Sequence, residues 1–565
     1  MARTVAIGKQ NFESVISGNY FYIDKTKMIK EWWESGDDVT LITRPRRFGK
    51  TLNMSMLECF FSIDYAEKGD LFENLFIFQE NVYRTLQGTY PVINLSFANV
   101  KDNNFESAKQ QICQLIAELY DKYRFLIDIE DFMTPNEIEY YNKVSGDMDS
   151  AVASLSLYTL SRHLMKYYGK KVIILLDEYD TPMQESYVHG YWNELVNFTR
   201  GIFNATFKTN PYLERAIMTG ITRVSKESVF SDLNNLKVVT TTSNEYADCF
   251  GFTQEEVFEA LTEYGLSEMK QDVKKWYDGF VFGTKSDIYN PWSIINLLDT
   301  KKLTTYWANT SSNSLIGKLI QEGGRRTKSL FESLLQGETI KVRIDEQIVY
   351  SQLSQGEDAI WSLFLASGYL KVAGYENDDE VLIEGYSPEY ELKLTNLEVK
   401  IMFHKMIHGW FAETQADYND FIKALLAGNV KEMNAYMTRV ALSTFSYFDT
   451  GRTASGPEPE RFYHGFVLGL IVDLNGRYQI TSNRESGYGR YDVMLEPIKE
   501  EDDAIILEFK VQDSEEEVNL KETVQVALAQ IEKQKYDTQL IAKGIEEKRI
   551  RKYGFAFSGK NVLIG

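Results

Sequence analysis

Cysteine is scarce, with Cys59, Cys113 and Cys249 the only three in 565 residues. Their wide scatter excludes a disulfide framework and a cysteine-based metal cluster, and it favours a reducing compartment. No run of about 18 apolar residues occurs, so no membrane-spanning helix is expected. Met1-Ala2-Arg3-Thr4 leads into a mixed polar segment without a signal-peptide core, and the expected location is the cytoplasm. Only ten prolines occur. No low-complexity tract or internal repeat is present, which argues against long disordered linkers. Cationic excess is missing as well. A net charge of −21 makes tight, non-specific binding to a phosphate backbone unfavourable. Residues 451–565 hold 16 basic and 20 acidic side chains. The surplus acid therefore lies mostly upstream, and the C-terminal region retains room for a local basic channel.

The content is that of packed globular material, 44% apolar and 13% aromatic. At this length two to four domains are expected. Val39–Thr43, Pro91–Phe97, Val172–Leu176 and Arg215–Gly220 read as strands, separated by helical patterns such as Phe105–Tyr123. Apolar strands alternating with helices predict an α/β domain with a parallel sheet flanked by helices. Ligands of such sheets collect at the carboxyl ends of the strands. From about residue 250 the pattern turns helical, through Gln254–Tyr264, Ser293–Leu298 and Ser311–Ile320. Tyr289 and Trp292 read as core anchors. Gly451–Pro459 is rich in turn formers and marks the last boundary. The expected domains are 1–285, a helical middle region 286–450, and 451–565.

Two motifs carry chemistry. After the first strand, Arg44-Pro45-Arg46-Arg47-Phe48-Gly49-Lys50-Thr51 opens a helix. Gly49, Lys50 and Thr51 in that place read as a P-loop: backbone N–H groups and the helix N-terminus bind phosphate, Lys50 neutralises charge and the Thr51 hydroxyl reaches Mg²⁺. The glycine usual at the start of the loop is Arg44 here, a departure because that glycine permits a tight turn. The strand Val172–Leu176 runs into Asp177-Glu178-Tyr179-Asp180. Asp177 at a strand tip can hold Mg²⁺ through water, and Glu178 can polarise an attacking water. Thr219, at another strand tip, can sense a γ-phosphate, and Arg223 can contact phosphate.

The second motif is C-terminal. Asp492 lies in the strand-like Gly489–Leu495, and Glu508-Phe509-Lys510 ends the strand-like Ala504–Lys510. Two acids on neighbouring strands can hold Mg²⁺, and a lysine two residues past the second acid shares its face. Such a kit serves metal-assisted phosphodiester hydrolysis. His464 reads as a packed helical residue. His404 and His408 share a helix face but lack a neighbouring glutamate, and they too read as packing residues.

The segments Ile23-Asp24-Lys25-Thr26, Arg44–Thr51, Leu176–Asp180, Thr219–Arg223, Leu233–Leu236 and Gly251–Thr253 together resemble the bacterial AAA-ATPase-like proteins. In those relatives the Arg-Pro-Arg-Arg-Phe loop is the expected form. The resemblance covers nearly the whole chain and implies a C-terminal, restriction-endonuclease-like α/β domain of the PD-(D/E)XK nuclease superfamily. It further implies Glu460 and Gln530 as accessory residues beside Asp492, Glu508 and Lys510. ATP and Mg²⁺ are the cofactors it implies, DNA the substrate, and a homo-oligomer the assembly to look for. The expected function is an ATP-binding protein with metal-dependent DNA cleavage, nucleotide binding gating access. The alternative is a nucleotide-binding regulatory or interaction protein whose last domain binds without cutting.

Overall fold

The structure is a computed structural model. It describes residues 2–223, 230, 233–308, 316–317, 319–320, 325–344, 357–375, 389–410, 415–444, 467–468, 470–471, 474, 477–499, 501–513, 516–558 and 561–565. The chain forms two compact units. One comprises Met1–Ile316 with Thr339–Lys400, the other Gly317–Glu338 with Ile401–Gly565.

The first unit is built on five parallel strands: β1 (Val39–Thr43), β2 (Val92–Ser96), β3 (Val172–Asp177), β4 (Leu213–Gly220) and β5 (Leu236–Val239). Every residue of β1 and β3 is buried, as expected of strands covered on both faces. The covering helices include α1 (Lys50–Phe61), α2 (Phe105–Lys122), α3 (Ser150–Tyr168), α4 (Thr181–His189) and α5 (Trp192–Phe207). Asn104 and Asp149 start α2 and α3 by accepting the amides of Ser107 and Val152. The strand order is β2-β3-β4-β1-β5. Since β4 pairs Thr219 with Ile42 and Met218 with Leu176, its tip stands between the ends of β1 and β3. The parallel sheet with flanking helices predicted from the sequence is present.

Downstream, the helix-rich stretch also carries two small antiparallel sheets. One joins β6 (Phe252–Thr253), β7 (Phe280–Phe282) and β8 (Lys285–Tyr289) in the order β6-β8-β7. The other joins β9 (Ile340–Arg343), β10 (Leu370–Tyr375) and β11 (Glu389–Leu394) in the order β10-β11-β9. Glu398 is buried there, and its carboxylate accepts the amides of Tyr306 and Trp307 and the Ser293 hydroxyl.

The second unit holds a mixed sheet of β12 (Tyr478–Ser486), β13 (Gly489–Pro497), β14 (Ala504–Val511), β15 (Ile550–Ser558) and β16 (Asn561–Ile564), in that order. Only β14 and β15 run parallel. Their crossover contains the helix α8 (Leu520–Gln534), as a parallel pair requires. Strand alternation divides β14. Ile505, Leu507 and Phe509 join a core with Phe421 and Leu425 of α6 (Gln415–Ala427) and Met433 and Met437 of α7 (Val430–Thr444). Ala504 and Ile506 pack instead with Ile531 of α8 and with Tyr536. The Asn434 side chain bonds both the N–H and the C=O of Ile564 at 2.8 Å, occupying backbone groups of the edge strand β16.

Arg44 is the largest charge in the first core. It is fully buried, and its guanidinium donates to the carbonyls of Thr43, Thr240 and Glu245 at 2.7–3.1 Å while lying 4.5 Å over the Phe282 ring. Burial pushes it down to about 10, still charged at neutral pH. Replacing Arg44 by Met should lower the stability of this unit by about 3 kcal/mol, because the carbonyls stay buried without their donor. A thermal-unfolding midpoint equal to that of the unsubstituted chain would contradict this account.

Candidate functional site

The loop Arg44–Gly49 leaves the end of β1 and turns into α1 through Gly49, whose φ of 82° favours glycine. The loop is held from several sides. The Arg46 carbonyl accepts from Asn290 Nδ2 at 3.2 Å, and the Arg47 guanidinium lies 4.4 Å over the Trp292 ring. Phe48 meets Phe280 edge-on, with ring centroids 4.7 Å apart. Tyr289 is fully buried, so the two aromatics expected as core anchors differ: Tyr289 anchors, and Trp292 supports the loop. Lys50 is buried, its ammonium donating to the Arg44 and Pro45 carbonyls at 3.0 Å each. Burial pulls its pKa down, opposed by the negative charges of Glu178, Asp177 and Asp180.

The strand order brings Thr51, Asp177 and Thr219 together. Thr51 Oγ1 donates to Asp177 Oδ2 at 2.6 Å, and the Thr219 hydroxyl donates to Asp177 Oδ1. Burial raises the Asp177 pKa, against the two hydroxyl donors and Lys50, which lower it. Glu178 is half-buried with φ of 50°, a left-handed conformation uncommon for a glutamate, and its Oε2 accepts from Thr181 Oγ1 at 3.1 Å. Arg223 is half-buried, and no hydrogen bond among the described residues joins it to Lys50, Thr51 or Asp177.

Asp180 acquires a role that its sequence position did not reveal. It is buried, and Oδ2 accepts the amides of Ile221 and Thr222 at 2.9 and 2.8 Å and the Thr222 hydroxyl at 2.9 Å. Gln184 Nε2 reaches the same oxygen at 3.3 Å, and Gln184 Oε1 accepts from Arg46 Nη2 at 3.1 Å. Asp180 thus fixes the segment after the tip of β4 and connects it through α4 to the phosphate loop. The sequence signal was only the acid spacing in Asp-Glu-Tyr-Asp.

The second site lies on β13 and β14. Their pairing ends at Val493 against Leu507, and Asp492 and Glu508 are the next residues beyond that couple on the two strands. There Asp492 Oδ2 accepts the Phe509 amide at 2.8 Å, a backbone donor that a strand ladder would give to a carbonyl. Glu508 is buried. Lys510 Nζ stands 3.5 Å from its Oε1, and Gln530 on α8 donates to the same oxygen. Gln530 Nε2 also lies 3.1 Å from the Tyr536 hydroxyl. Burial raises the Tyr536 pKa, and the charges of Glu508 and Asp492 raise it further. Asp492, Glu508, Lys510 and Gln530, expected together, are therefore gathered on one spot. Tyr536 joins them, a residue that no sequence motif singled out. Glu460 and His464, and the side chain of His408, lie outside the described residues.

The donor sets suit a hard divalent cation. Thr51 with Asp177 in one site, and Asp492, Glu508 and the Phe509 carbonyl in the other, are all oxygen ligands. The negative charges of Asp492 and Glu508 both act on Tyr536, and a dication would offset them. No described helix is long and apolar enough to cross a membrane.

A parallel sheet with a lysine-bearing loop facing an acid-tipped strand, together with a mixed sheet bearing two acids and a lysine, defines a two-part class: a nucleotide-type α/β domain and a nuclease-type domain. Comparisons agree. Residues 6–230 match the family model described as predicted AAA-ATPase, and residues 458–565 match that of the PD-(D/E)XK nuclease superfamily. The chain thus carries an AAA-ATPase-like domain and a PD-(D/E)XK nuclease-superfamily domain. A protein of Azotobacter chroococcum mcd 1, described as an uncharacterized protein in the vnfD 5′ region, is 25% identical over 418 residues, covering 72% of this chain and 70% of that protein. Among solved structures, a signal transduction ATPase with numerous domains (STAND) from Pyrococcus horikoshii, with a tetratricopeptide repeat sensor, aligns with 81% of this chain at 11% identity and a TM-score of 0.23. The alignment spans 58% of that structure's chain.

Replacing Asp180 by Ala should cost about 2 kcal/mol locally by leaving the Ile221 and Thr222 amides without their acceptor. Hydrogen exchange reads this directly. Faster exchange at both amides is expected, and unchanged protection would remove Asp180 from this role.

Proposed function

We propose that this chain binds ATP with Mg²⁺ in its first unit and cleaves DNA with Mg²⁺ in its second. The observation that carries the proposal is the convergence of Asp492, Glu508, Lys510 and Gln530 around one point of the β13–β14 pair. The three buried free cysteines suit the cytoplasm.

In the second unit, Asp492, Glu508 and the Phe509 carbonyl would hold the metal. Bound there, Mg²⁺ supplies a water of lowered pKa and offsets charge on the scissile phosphate. The chain's own residues do the rest. Gln530 fixes the Glu508 carboxylate, and the Tyr536 hydroxyl steadies Gln530. Lys510 brings a positive charge beside that carboxylate, where it can orient the attacking water and stabilise the phosphate oxygens as negative charge grows. In the first unit, Lys50 and the amides at the start of α1 bind phosphate, and Thr51 with Asp177 would hold Mg²⁺. Glu178 is assigned to polarise water, and Thr219, bonded to Asp177, to report the γ-phosphate. Arg223, close in sequence to Thr219, is assigned a phosphate contact. Nucleotide binding gates cleavage in this reading.

A second reading, a nucleotide-binding regulator whose last domain binds without cutting, is favoured by the net charge of −21. Incubating the purified chain with plasmid and Mg²⁺ or Mn²⁺, with and without ATP, separates the two. Nicking or linearisation is expected, and Asp492→Ala should abolish it. Cleavage that survives Asp492→Ala would assign the activity elsewhere, and no cleavage by the unsubstituted chain leaves the regulatory reading.

Lys50→Ala should weaken ATP binding about tenfold or more, the worth of one or two charge-assisted hydrogen bonds. Calorimetry on the full chain checks this. An unchanged affinity would remove Lys50 from the phosphate site.

A further inference from the structure

The turn between β12 and β13 carries a side chain that neither fold nor acid cluster explains. Ser486 pairs with Gly489, so the turn is the two-residue Gly487-Tyr488. Gly487 has φ of 63°, and Tyr488 is not in the left-handed region. This is the pattern of a turn that wants glycine first and leaves its second residue projecting. Tyr488 is 78% exposed, far above what a tyrosine needed for packing would show.

The tip itself is tied to the end of α8. The Tyr488 amide donates to the Gln534 carbonyl at 2.8 Å, and Ser486 Oγ donates to the Tyr536 carbonyl at 2.8 Å. Gly487 sits so close to the end of α8 that an added Cβ would stand 2.2 Å from the Gln534 oxygen. The aromatic ring is therefore presented to solvent on a backbone bolted in place.

Its surroundings suit a nucleic-acid strand. Gln534 is one turn along α8 from Gln530, about 6 Å, and Gln530 holds Glu508. Tyr488, in the turn before β13, is four residues from Asp492, about 13 Å at strand rise. One cation lies by the ring and a second is two residues along the chain. Arg490 is exposed, and the ammonium of Lys535, also exposed, lies 5.8 Å from the ring centroid. Lys535 has φ of 52° at the end of α8, where glycine is the usual occupant. A side chain kept in that strained conformation beside the tip fits a functional role. An exposed aromatic beside a cation is an arrangement that can stack a base while holding the backbone.

We propose that Tyr488 stacks on an unpaired base of a DNA strand entering the Asp492–Glu508 site, while Arg490 and Lys535 bind the flanking phosphates. The proposal deepens the nuclease reading and rests on it for the identity of the partner. It makes single-stranded or frayed DNA the preferred substrate over intact duplex.

The test is fluorescence anisotropy of the full chain with a labelled oligodeoxythymidine, and with a blunt duplex of the same length, in EDTA so that nothing is cut. Tyr488→Ala should weaken oligodeoxythymidine binding about tenfold. Tyr488→Trp should restore it, and duplex binding should change by less than about twofold. The proposal is overturned if the unsubstituted chain binds no oligodeoxythymidine, if Tyr488→Ala weakens both probes equally, or if Trp fails to restore binding. Cleavage in Mg²⁺ is scored separately. Tyr488-dependent binding without cleavage sinks the nuclease reading and leaves the stacking platform in place.

Discussion

Charge withdrawn from water is the constraint around which both units are organised. An ionised group in a protein interior costs several kcal/mol unless hydrogen bonds replace its hydration. In this chain backbone groups do much of that replacing. Arg44 and Lys50 are met by carbonyls, and Asp180, Glu398 and Asp492 by amides. Backbone groups are free for this where strands end or where a loop departs from a ladder. Arg44, Lys50, Asp177 and Asp180 gather at strand tips and Glu508 beside a break in strand pairing, the places that carry the candidate chemistry.

The two sites use sheets in different ways. In the first unit the parallel order β2-β3-β4-β1-β5 aligns strand ends, so residues 126 positions apart in sequence, Thr51 and Asp177, come within 2.6 Å. The functional groups sit at the carboxyl ends of the strands and at the start of α1. In the second unit the acids lie within the strands, each one residue beyond the last paired couple, Val493 with Leu507. A slip of one residue would turn one of them to the opposite face. The Phe509 amide bound to Asp492, and Gln530 reaching from α8, hold that register.

Much of this was legible in advance. The buried strands β1, β3 and β14 read as apolar runs because burial on both faces leaves no polar alternation to obscure them. The acid–acid–lysine set was legible because strand periodicity is local. Arg44 was legible as a departure from glycine and as the form the resemblance implies, but not for its reason. Its reason is three carbonyls, two of them about 200 residues downstream, together with the Phe282 ring, which no spacing rule could supply. Asp180 with Gln184, Tyr536, and the platform at Tyr488 were missed for the same reason. Each acquires its role from a partner on another element.

Composition, periodicity and motif spacing established an α/β first domain, a phosphate loop at Gly49-Lys50-Thr51 and a C-terminal acid pair, since these follow from interactions a few residues apart. Which strand lies beside which, which carbonyls receive Arg44, and how Asp492 comes to hold the Phe509 amide were settled only by the folded chain. Those contacts join segments distant along the polypeptide, and their geometry exists only once the cores between them have packed.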